Sequence, residues 1–116
     1  MENPVYESVV SRLAGILGTG KALESGSGIR FTSAKRGKVT VYHTNLATGN
    51  HAEVAFDPPT MAKRMSMSER EFRSLIADLR GRTGRAVSPD PQFNWPRVGL
   101  VCEADVAAVV HAIEPL

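Results

Sequence analysis

The chain has one cysteine in 116 residues, Cys102, so an internal disulfide and a cysteine-based zinc finger are both excluded. Aromatic residues make up only 6%, with Trp95 the single tryptophan. Apolar runs extend a few residues at a time, far short of the roughly 20 that a bilayer-spanning helix needs. The first residues carry Glu2 and Glu7 and no basic cluster, unlike a secretory signal peptide. Gly-x-Ser-x-Gly, His-Glu-x-x-His and Cys-x-x-Cys are also missing, and with them the short signatures of serine hydrolases, zinc proteases and redox sites. These absences lead to the expectation of one small cytoplasmic domain, residues 1–116, with no membrane segment, no cofactor and no metal.

What is present is ordinary globular composition, 42% hydrophobic and 22% charged, sufficient to bury a core. The net charge of +2 conceals a basic middle. Residues 35–85 carry ten Lys and Arg against five Asp and Glu, whereas residues 86–116 carry one against four. Such a separation suits an anionic partner or self-association, although small domains also need charge for solubility.

Local patterns give the elements. Asn3 followed by Pro4 opens a helix, and Tyr6, Val9, Val10, Leu13, Ile16 and Leu17 form its apolar stripe up to Gly18. Lys21 to Gly28 reads as a Gly/Ser-rich connector with room for a short edge strand at Ala22–Glu24. Ile29 to Phe56 reads as an antiparallel meander: Ile29, Phe31 and Ser33 alternate with polar neighbours, then Val39 and Val41, then Ala52, Val54 and Phe56. A three-residue loop Lys35–Arg36–Gly37 would pair Ser33 with Val39 and Phe31 with Val41. The next turn would set Tyr42 opposite His51.

Asp57–Pro58–Pro59 stops the sheet, and one or two helical turns are expected from Thr60 to Met67. Ser68 and Glu71 form a capping box for a helix that buries Phe72, Leu75, Ile76 and Leu79 and ends at Gly81 and Gly84. Ala86 to Pro96 is a Pro-rich loop. Arg97–Cys102 is a strand covered on both faces or paired centrally, and Glu103–Ile113 is a final helix with acids in its first turn. The expected fold is a two-layer α+β domain of order α-β-β-β-α-β-α, with helices on one face of a mainly antiparallel sheet.

Several motifs fail for want of context. The run from Gly15 to Lys21 has phosphate-loop spacing, but Ala22 replaces the required Ser or Thr and a helix precedes it. His43 and His51 flank one sheet turn, yet the apolar alternation puts them on opposite sides, and a one-residue slip to unite them would expose Val54 and Phe56. Cys102 precedes a helix start, but Glu103 and Asp105 oppose a thiolate, and a half-buried structural cysteine is the plainer reading.

The remaining signal is cationic. The outer sheet face should carry Arg30, Thr32, Lys38, Thr40, Tyr42, His51 and Glu53, with Lys35 and Arg36 at the hairpin tip and Arg80, Arg82 and Arg85 at a helix exit. Cations beside a stackable aromatic suit single-stranded nucleic acid, whereas the plainer reading is a wet sheet face. The functional expectation is therefore a non-enzymatic binding domain contacting nucleic acid through Arg30, Lys35, Arg36, Lys38 and Tyr42, helped by Arg80, Arg82 and Arg85. The alternative is a protein interface or homodimer built on Phe93, Trp95 and the strand Arg97–Cys102. A small hydrolase or transferase ranks third.

Overall fold

A computed structural model describes residues 3–33, 37–44, 46, 49–64, 66–83 and 96–114, with residues 80–83 described by backbone only. Helix α1 spans Pro4–Leu17 and buries Val5, Val9, Leu13 and Leu17. The Asn3 side chain accepts the Tyr6 backbone N–H at 3.1 Å, and proline occupies the first turn, where its missing donor costs nothing. Gly18 closes the helix at φ 91°, in the region that favours glycine.

Five strands follow in a single antiparallel sheet whose spatial order matches their order in the chain: β1 (Lys21–Ala22), β2 (Gly28–Ser33), β3 (Gly37–Tyr42), β4 (Ala52–Phe56) and β5 (Arg97–Leu100). Helices α2 (Pro58–Arg64) and α3 (Glu69–Thr83) connect β4 to β5, and α4 (Glu103–Ile113) follows β5. The fold is α+β, with helices packed on the sheet. Compared with the expected order it adds β1, which falls at Lys21–Ala22 within the connector, and α2. The helix α2 starts where the sheet stops: Asp57 accepts the Thr60 N–H at 3.2 Å, so Asp57–Pro58–Pro59 both ends a strand and caps a helix.

One apolar layer holds the elements together. Phe31, Val39, Val41, Val54, Phe56, Val98 and Leu100 point inward from the sheet and share a core with Leu13, Met61, Phe72, Ile76 and Val106 from the helices. The capping box of α3 forms as expected: Ser68 Oγ accepts the Glu71 N–H at 3.1 Å and Glu71 Oε1 accepts the Ser68 N–H at 3.4 Å.

Two registers depart from the pattern by two residues. Phe31 faces Val39 and Ser33 faces Gly37, so the loop is residues 34–36 and Gly37 opens β3. Gly37 has φ 94°, and a Cβ there would lie 2.9 Å from Met61 Cα, so α2 packs directly on this backbone. Tyr42 faces Glu53 and not His51. A shift of two preserves the alternation, which is why both faces keep their expected residues.

Other boundaries also move. Helix α3 runs through Gly81, because an interior glycine costs only about 1 kcal/mol against a buried stripe of Phe72, Ile76 and Leu79. Strand β5 stops at Leu100, since the Asp105 carboxylate accepts the Val101 N–H at 2.9 Å and draws the chain into α4. Cys102 then sits at the N-cap of α4, exposed and not half-buried. β5 is covered as expected but lies at the sheet's end, not its centre.

Glycines separate two mutational outcomes. Gly15 lies inside α1 with nothing within 4 Å of an added Cβ, which also removes any phosphate-cradling turn there. Gly15→Ala should raise unfolding stability by about 0.5–1 kcal/mol. A Cβ on Gly28 would collide with the Val41 carbonyl oxygen across the strand pair. Gly28→Ala should lower stability by about 3 kcal/mol, as strands part or shift. Urea unfolding of both variants checks the pair.

Candidate functional site

The strand pairings fix which side chains share the face opposite the described helices. One cross-strand row reads Lys21, Arg30, Thr40, Ala55, Arg97, and the next reads Gly28, Tyr42, Glu53, Gly99; Thr32 stands opposite Lys38 on the same face. Four cations and one acid therefore project to one side of the sheet. Lys21 is exposed, and Arg30 and Lys38 are half-buried.

The middle of this face is not the wet surface the alternation suggests. Thr40 is 1% exposed and Glu53 2%. A carboxylate at that depth requires compensation, and it has it: Arg97 Nη2 lies 2.8 Å from Glu53 Oε1, and Asn50 Nδ2 donates to Glu53 Oε2 at 2.9 Å. The Asn50 side chain lies where a Cβ on Gly99 would be, so a glycine in β5 makes room for this bond. The Arg97 guanidinium stands 4.3 Å from the centroid of the Tyr42 ring, a cation–π contact. Arg97 Nε is buried without a hydrogen-bond partner among the described residues.

The structure thus brings Arg30, Lys38 and Tyr42 onto one face, as expected, while Arg97 covers one side of the Tyr42 ring. Arg30 Nε donates to Thr40 Oγ1 at 3.0 Å, which leans its head across the sheet. Lys35, Arg36, Arg85, Phe93 and Trp95 lie outside the described residues. Arg80 and Arg82 fall in the last turn of α3, described by backbone only. Of the proposed partner strand, Val98, Gly99 and Leu100 are buried within the protein itself.

Sequence reasoning missed a second feature. A cleft of about 640 Å³ opens at the end of the sheet between the start of α1 and the β3–β4 connection, lined by Tyr6, Glu7, His43, Leu46, Asn50 and His51 among others. The two histidines project from opposite sides of the sheet yet reach one cleft, because it wraps the sheet's end. Tyr6 and His43 meet edge to face, centroids 4.8 Å apart and planes at 68°. Asn3 Nδ2 donates to the His51 carbonyl at 2.8 Å, tying the helix cap to the entry of β4. The expected apolar stripe included Tyr6, but the buried stripe is Val5, Val9, Leu13 and Leu17, and Tyr6 at the third helical position turns aside from it to meet His43.

No protein-family model matches this chain, and neither a curated protein nor a solved structure matches it significantly. Function must therefore be read from the geometry. Among the described residues no three His, Cys, Asp or Glu side chains are placed to hold a metal ion, and no helix is long and apolar enough to cross a membrane.

Two measurements test this construction. Arg97→Met leaves the Glu53 carboxylate buried without its cation and should cost about 3–5 kcal/mol in chemical denaturation, with Arg97→Met/Glu53→Leu recovering much of the loss. Tyr6 is the second test: partial burial weakens hydration of its phenolate and holds its pKa above the ordinary 10.0. Since the folded value is the raised one, this stability term is intact below the unfolded pKa and is lost as pH climbs through the folded value. Ultraviolet titration of Tyr42→Phe, which leaves Tyr6 as the sole tyrosine, should give a midpoint above 10 that returns to about 10 in denaturant.

Proposed function

We propose that the protein is a non-enzymatic binding domain that holds the phosphate backbone of single-stranded nucleic acid against Lys21, Arg30 and Lys38. One observation carries this reading. Among the described residues, the strand register gathers four cations on the face opposite the core, while the acid in the same rows, Glu53, is already matched by Arg97. Lys21 stands directly opposite Arg30, so one phosphate can accept from both, and its binding releases condensed counterions. Arg97 lies over one face of the Tyr42 ring, which leaves its other face for a base.

Fluorescence anisotropy with a labelled single-stranded oligonucleotide provides the test. Three phosphate contacts, each worth roughly 0.7 in the log–log salt slope, predict a slope near −2. Lys21→Glu/Lys38→Glu should weaken binding and flatten that slope. Binding that is absent at low salt, or indifferent to salt, overturns the proposal.

A further inference from the structure

Single-strand binders combine a charged track with an aromatic surface for bases; Arg97 takes one face of Tyr42 here, and the cleft at the sheet's end offers two further rings. We propose that this cleft seats one unpaired nucleobase bearing an exocyclic amino group, an inference that rests on the nucleic-acid reading above.

The walls come first. The Tyr6 and His43 rings stand edge to face, forming a corner in which a flat heteroaromatic ring can stack on one ring and meet the edge of the other. Pro4 and Leu46 add apolar surface beside them. The cleft's volume of about 640 Å³ lies within the range of small-molecule sites.

The polar lining selects the ligand. Among the described residues Glu7 is the acidic side chain of the lining, no lysine or arginine lines the cleft, and Glu7 makes no salt bridge. An ionised carboxylate only accepts hydrogen bonds, so it suits the amino edge of cytosine or adenine and disfavours the carbonyl edge of uracil. The same charge repels phosphate, which assigns the cleft to a base and the cations to the backbone.

Rigidity and reach complete the argument. Asn3 bonds both walls, accepting the Tyr6 N–H and donating to the His51 carbonyl, so the cleft holds its shape before any ligand arrives. His43 follows the end of β3, three residues and roughly 10 Å from Thr40, whose row contains Lys21 and Arg30, and its ring turns to the α1 side of the sheet. A strand held on the cations reaches the cleft by passing round the sheet's end, where Asn50 and His51 also line it.

Nuclear magnetic resonance titration of the wild-type protein with cytidine and with uridine tests the cleft by itself, because neither nucleoside carries phosphate. Cytidine should shift the ring resonances of Tyr6 and His43, with uridine several-fold less effective at equal concentration. Glu7→Gln should level the two nucleosides, and Tyr6→Leu should cost an oligonucleotide about five- to a hundredfold in affinity with its salt slope unchanged. Silent Tyr6 and His43 rings, or an equal response to uridine, overturn the inference without recourse to any variant. Failure of the salt titration overturns the backbone reading instead, so the two failures are distinguishable.

Discussion

Alternation along the strands governs this protein, because every helix depends on the apolar half of the sheet for its cover. Phe31, Val41, Val54 and Phe56 are among the side chains that a one-residue slip would turn to water. Each such exposure forfeits roughly 1.5–3 kcal/mol, and four together rival the 5–15 kcal/mol that small domains possess in total. A slip by one is therefore closed to the chain. A slip by two leaves the faces intact and is decided by turn and packing detail, which is where Gly37 meets Met61.

The opposite half of the sheet follows from the same constraint in a less familiar way. Residues excluded from the core by parity must still find partners where the sheet's middle is covered. Glu53 meets Arg97 and Asn50, Tyr42 lies under Arg97, and Thr40 takes a bond from Arg30. The centre of this face is thus a polar layer with its own internal matching, and positive charge is displaced outward toward Lys21, Arg30 and Lys38.

Much of the architecture was legible in short sequence features whose chemistry is local. Asn3–Pro4, the Ser68/Glu71 box and the Val39/Val41 and Val54/Phe56 alternation each act within a few residues, and each formed in place. Registers were legible only to parity, because Gly37 is set by a helix 24 residues later. The depth of Glu53 was invisible to alternation, which says which way a side chain points but not what lies above it. Gly99 held a usable hint, since a glycine inside a strand marks close approach by another group, in this case Asn50. The cleft was the least legible feature: Tyr6 and His43 are neighbours only because α1 ends its first turn beside the close of β3.

The brevity of β1 has an effect beyond the fold. Open sheets invite other chains to extend them, since an outermost strand presents unpaired amides and carbonyls in a row. Here the first strand is two residues long, and one of those is an exposed lysine. A neighbouring molecule would find too short a template on β1 to add to and an ammonium in its path, so this stretch of the border resists fibril-like growth.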